Sequence, residues 1–220
     1  MSYTHFTLLR HGQPEQANCL LGRTDPPLTD KGWQQMHSSA NTLKFHLIIS
    51  SPLLRCRGYA EQLADERNCQ LILDDDWQEL DFGLWDGQVI TALWQQPNQH
   101  LSHGTEPTYS QFWHAPVEHI PPAGESSQAL LHRITSSIDT LSRAYPGKQL
   151  LIVSHSGVMR MVLAWLLNSR QAGNAHLSQI QLDHAALLHF NTYIDETGTL
   201  WPQLQGFHNP CVYQHTLQDN

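Results

Sequence analysis

The sequence predicts an α/β fold, a three-layer sandwich with a mostly parallel central sheet flanked by helices, plus a small lid insertion over the C-terminal ends of the strands. Three observations predict it. Short apolar runs alternate with segments of helical periodicity, the pattern of a sheet covered on both faces. The run 150–153, Leu-Leu-Ile-Val, has no polar interruption, as a central strand buried on both faces requires. Between 86 and 122 this rhythm stops, and aromatic residues are broken up by prolines and glycines.

Residues 4–9 form a first strand, and the loop through Gly22, Asp25, Pro26 and Pro27 leads to a helix opened by Thr29-Asp30, with Asp30 as its N-cap. Residues 47–50 form a second strand, after which Pro52 suits the start of a helix reaching Arg67. A third, shorter strand covers 71–73. Helical spacing of Leu130, Leu131, Ile134, Ile138 and Leu141 defines a helix over 125–145, stopped by Pro146-Gly147. The central strand at 150–153 follows, then a helix over 157–167 and a further strand at 186–190. Residues 86–122 are the lid, with a short helical stretch around 89–94 and the aromatic residues Trp94, Tyr109, Phe112 and Trp113. The whole chain, 1–220, reads as a single domain with that insertion.

Composition narrows the function. A formal net charge of −8 disfavours binding to nucleic acid or anionic membranes. No Lys or Arg occurs between Arg67 and Arg133, so any anion site must draw its cations from elsewhere. The N-terminus lacks the basic and apolar blocks of a signal peptide, and the most apolar stretch is interrupted by His155 and Arg160. A cytoplasmic protein is therefore expected. Cys19, Cys56, Cys69 and Cys211 show no C-x-x-C spacing and read as free thiols. The fifteen histidines include no H-E-x-x-H, and His100 with His103 lies in a polar stretch, so no metal site is predicted.

Two strands run straight into a histidine followed closely by glycine, Arg10-His11-Gly12 and Ser154-His155-Ser156-Gly157. In an open parallel sheet the ligand crevice lies beyond the carboxyl ends of the strands, where His11, the Ser50-Ser51-Pro52 turn and His155 emerge together. Arg10 and Arg55 join them. Two guanidiniums and two imidazoles suit a dianion such as phosphate.

The ordered set Arg10-His11-Gly12, Pro27-Leu28-Thr29-Asp30-Lys31-Gly32, Ser51-Pro52-Leu53-Leu54-Arg55, Glu79-Leu80-Asp81-Phe82-Gly83-Leu84-Trp85, Gly124-Glu125-Ser126 and Ser154-His155-Ser156-Gly157 resembles the histidine phosphatase superfamily, the clan that includes phosphoglycerate mutases. The resemblance is strongest to the bacterial branch similar to α-ribazole phosphatases. It implies a phosphomonoester hydrolase that needs no cofactor and no metal and acts on a small-molecule phosphomonoester such as α-ribazole 5′-phosphate of cobalamin biosynthesis. The implied roles are His11 as nucleophile, Glu79 as proton donor and His155 as a stabiliser of charge on phosphorus, with Arg10, Arg55 and Gln13 binding phosphate. Asp81 and Asp76 rival Glu79. Gln13 stands where Glu is usual in this family. A phosphoglycerate mutase-like transfer and a non-catalytic phospho-ligand binder are the alternatives, and a homodimer is left open. A lid without Lys or Arg favours hydrolysis over mutase chemistry, because a mutase must hold a second phosphate.

Overall fold

The computed structural model describes residues 2–96, 106–169 and 179–210. Six strands form one sheet in the order β3-β2-β4-β1-β5-β6. They are β1 (Tyr3–Arg10), β2 (Leu47–Ser50), β3 (Gln70–Leu73), β4 (Gln149–Ser154), β5 (Leu187–Ile194) and β6 (Leu200–His208). The strands β3, β2, β4 and β1 are mutually parallel, whereas β5 pairs antiparallel with both β1 and β6. The helices are α1 (Asp30–Ala40), α2 (Leu54–Arg67), α3 (Ile90–Gln95), α4 (Tyr109–His114), α5 (Ser127–Ala144) and α6 (Ser156–Leu166).

The period of two along each strand builds the three layers. Leu47 and Ile49 of β2 and Leu150 and Ile152 of β4 point to one face, where they join Ile134 and Ile138 of α5 and Val158 and Val162 of α6. Ile48, Leu151 and Val153 point to the other face and meet Met36 of α1 and Tyr59 and Leu63 of α2. β4 is covered on both faces, which is why its sequence carries no polar residue between Leu150 and Val153.

Several local expectations are corrected. Thr29, not Asp30, is the N-cap of α1: its extended backbone lets the side-chain oxygen accept the Gly32 amide, while Asp30 occupies the first turn. Pro52 lies ahead of α2, whose N-cap is Leu53. The strand expected at 186–190 runs to Ile194, reverses against β1, and is followed by β6, for which the sequence offered no recognised motif. In the insertion, α3 matches the predicted helical stretch, and a capping box of Thr108 and Gln111 starts the unpredicted α4. The pair His100 and His103 and the thiol Cys211 lie outside the described residues. Cys19, Cys56 and Cys69 are free thiols. Among the described residues no helix is long and apolar enough to cross a membrane.

Candidate active site

β1 and β4 pair in parallel with Arg10 opposite Ser154, so the two strands end at the same level and deliver His11 and His155 side by side. Their ring centroids are 5.2 Å apart and both side chains are buried. The turn after β1 is held by glycines. A Cβ on Gly12 would lie 2.0 Å from the Gly32 carbonyl oxygen, so only backbone fits where α1 presses on this turn.

His11 Nδ1 lies 2.8 Å from the Gly12 carbonyl oxygen. A carbonyl can only accept, so Nδ1 carries the proton and Nε2 keeps its lone pair. Burial, reinforced by Arg55 and Arg10, holds the His11 pKa well below the ordinary histidine value. His155 is depressed in the same direction, first by burial and then by Arg55. Its Nε2 is 2.8 Å from Ser51 Oγ, and the thiol of Cys56 approaches the same nitrogen at 3.5 Å. That thiol is inert, since burial raises its pKa far above the usual range.

Arg55 is fully buried. It donates to the carbonyls of Thr24 at 2.8 Å, Leu21 at 3.1 Å and Gly22 at 2.8 Å. The loop carrying those carbonyls is itself clamped by Asp86, whose carboxylate accepts the amides of Gly22 (2.9 Å), Arg23 (2.7 Å) and Thr24 (2.9 Å). Arg10 donates to the Leu182 carbonyl, and burial lowers its pKa to about 10. The Nε–H groups of Arg10 and Arg55 are both buried without a hydrogen-bond partner among the described residues. Buried donors of this kind are ready for an oxyanion.

Glu79 is buried and accepts the Leu80 amide at 2.9 Å and the Gly157 amide at 3.0 Å. Its loop is tied down by Arg133, which donates to the Glu79 carbonyl at 3.1 Å and pairs with Glu125 at 2.7 Å. Arg10, His11 and Glu79 line one cavity of about 200 Å³ together with Phe82, Tyr109 and Trp113. Neither Asp81 nor Asp76 lines it. Asp81 instead accepts the Gly83 amide at 2.8 Å and faces Arg23.

Two expectations are revised. Of the insertion aromatics, Tyr109 and Trp113 line the cavity, but Phe112 is buried in the core and Trp94 is exposed, stacking edge-on against Tyr109 with centroids 4.9 Å apart. Gln13 lies off this cavity, lining a separate hollow of about 460 Å³ with Lys31, Gln34 and Gln35. Its amide donates to Gln35 Oε1 at 2.9 Å. One residue unnoticed in the sequence belongs to the site: His184, whose ring centroid is 5.9 Å from that of His11 and which lines both cavity and hollow. The sequence carried no signal for it, because its place depends on the reversal of β5: the N-terminal end of an antiparallel strand reaches the same rim as the C-terminal ends of its parallel neighbours.

Strand-end histidines flanked by the buried Arg55 and the half-buried Arg10 agree with the match of residues 6–200 to the family model "Histidine phosphatase superfamily (branch 1)". The chain belongs to this superfamily. The chain is similar to a bifunctional protein of Mycobacterium tuberculosis, 31% identical over 203 residues, covering 90% of this chain and 52% of the relative. The chain thus spans about half the length of the first curated relatives it matches. A probable phosphoglycerate mutase of Escherichia coli is 26% identical over 208 residues, covering 88% of this chain and 92% of that one. Among solved structures, a mycobacterial glucosyl-3-phosphoglycerate phosphatase superposes with a TM-score of 0.74 at 20% identity, covering 91% of this chain and 96% of its own. A candidate alpha-ribazole-5′-phosphate phosphatase of Escherichia coli superposes with a TM-score of 0.72 at 22% identity, covering 94% and 96%. At these identities the superpositions establish the shared histidine phosphatase fold.

Proposed function

We propose that the chain is a metal-independent phosphomonoester hydrolase working through a phosphohistidine on His11. The observation that carries this reading is the tautomer enforced by Gly12: Nδ1–H donates to its carbonyl, leaving Nε2 as a neutral nucleophile beside two arginines. Nε2 attacks phosphorus in line as the bond to the ester oxygen breaks. Glu79 gives its proton to the departing alkoxide. As a carboxylate, Glu79 then takes a proton from water, whose oxygen attacks phosphorus and releases phosphate and neutral His11. Arg10 and Arg55 offset charge on the equatorial oxygens throughout, with the neutral His155 ring adding a hydrogen bond, so no cation is required from solution.

The cavity also supports a reading of the leaving group. Phe82, Ile90, Tyr109 and Trp113 give it an apolar, aromatic wall, and among the described residues no lysine lines it. This favours a weakly charged, ring-bearing alcohol over a second phosphate, and hydrolysis over mutase chemistry. α-Ribazole 5′-phosphate is the first compound to test. At about 200 Å³ the cavity is below the common range of roughly 300 Å³ and more, so a nucleoside-sized group would extend beyond it.

The test is hydrolysis of p-nitrophenyl phosphate and of a panel including α-ribazole 5′-phosphate and phosphoglycerates, with an alkaline quench to trap the phosphoenzyme. Wild-type protein is expected to carry phosphate on His11, and His11→Ala to lose both adduct and turnover. Residual activity within about tenfold of wild type would sink the mechanism.

A further inference from the structure

We propose that His184 is a catalytic residue whose imidazole donates a hydrogen bond to an oxygen of the phosphoryl group transferred to His11. The proposal rests on the phosphohistidine reading above and adds a contact which that reading does not use. His11 sits between two other imidazoles, with His155 at 5.2 Å and His184 at 5.9 Å between ring centroids. The two flanking rings differ in what they already hold. His155 is completely buried, with Nε2 engaged by Ser51 Oγ at 2.8 Å. His184 is half-buried, and neither of its ring nitrogens has a hydrogen-bond partner among the described residues. With no protein partner to hold it, the His184 ring is open to whatever fills the cavity that it lines with Arg10, His11 and Glu79, water or a bound oxyanion.

The ring is also placed by the catalytic residues themselves. Arg10 donates to the Leu182 carbonyl, and the Ala185 amide donates to the His11 carbonyl at 3.3 Å, so the two residues flanking the 183–184 pair are bonded to the attacking strand end. Asn209 fastens the same loop from outside, accepting the Asp183 amide at 2.9 Å and donating to the Gln181 carbonyl at 2.9 Å. Ala185 takes a left-handed backbone, φ 61°, which turns the chain sharply into β5 immediately after His184. Burial and the proximity of Arg10 push the His184 pKa down to about 4, so the ring is neutral at working pH. A neutral imidazole carries one N–H, and the oxygens of a phosphoryl dianion can only accept. His184 therefore supplies a donor that adds no charge to a site already holding Arg10 and Arg55.

The experiment measures kcat, KM and inhibition by orthovanadate for the full chain and for His184→Ala and His184→Asn. His184→Ala should lower kcat by about 10- to 100-fold and weaken vanadate by a similar factor, while His184→Asn, which keeps an N–H, recovers most of both. Long-range ¹⁵N NMR of the histidine-labelled parent should show a His184 ring nitrogen shifting on addition of vanadate. A kcat and a vanadate inhibition constant both within twofold of the parent in His184→Ala overturn the proposal. If that variant does not fold, an unshifted His184 resonance in vanadate-bound parent overturns it equally. A parent that neither hydrolyses phosphomonoesters nor binds vanadate defeats the phosphohistidine reading itself, an outcome distinguishable from failure at His184 alone.

Discussion

Glu79 illustrates how a single residue depends on one neighbour lacking a side chain. Gly157 donates its amide to the carboxylate, and a Cβ built there would meet Glu79 Oε1 at 2.2 Å. Gly157→Ala should therefore displace the Glu79 carboxylate and mimic Glu79→Gln. Both variants are expected to lose about 10²-fold or more on alkyl phosphates and less than about tenfold on p-nitrophenyl phosphate, whose leaving group needs little protonation. Equal losses on the two substrates, measured as kcat/KM, would remove Glu79 from this role. His11 has its own signature. Because burial, reinforced by Arg55 and Arg10, holds its pKa well below the ordinary histidine value, the ring keeps its lone pair as pH falls past the point where a free imidazole begins to protonate.

Among the elements, the loop before α1 has the largest indirect hold on the chemistry. Asp86 accepts three successive amides from Gly22 to Thr24, and the carbonyls of that loop orient Arg55. Asp86→Ala should lower kcat/KM by about tenfold without touching substrate, and cost about 1–3 kcal/mol in urea unfolding. Unchanged kinetics would show that α2 alone positions Arg55. This clamp also marks how far the sequence can be read. Arg10, His11, Arg55 and His155 are legible because strand ends and helix starts are written locally, in apolar runs that stop at Gly, Pro or Ser. Asp86 was legible only as one more acidic residue, since its partners lie 62 to 64 positions away. β6 was hidden for a different reason. As an edge strand with Trp201, Leu204 and Phe207 exposed, it shows no clean alternation of apolar and polar residues. The direction of β5 was hidden too, because pairing partners are a tertiary property.

For the molecule as a whole, the burial of neutral histidines ties stability to pH. His11, His155 and His184 all have folded pKa values below the ordinary 6.5, that of His184 at about 4. With the folded value depressed, the unfolded chain binds protons first as pH falls. Stability is thus fully present above about pH 6.5 and declines below it, continuing through about pH 4 for His184. Thermal melts should show Tm lower by roughly 5 °C or more at pH 5 than at pH 7.5. A flat Tm over that range would mean the three imidazoles are far better solvated than their burial implies.

The contact of Gly12 with Gly32 has a bearing on how this protein tolerates change. Gly32 lies on α1 and lines neither the cavity nor the hollow described above, yet a Cβ there would come 2.3 Å from the Gln13 carbonyl oxygen and push the turn after His11 aside. In a saturation library scored by phosphatase activity, Gly32 should be as intolerant as His11, while its exposed helical neighbours Lys31 and Gln34 accept most replacements. A position can thus look silent on a map of the catalytic cavity and still forbid every substitution, because what it supplies to the reaction is room.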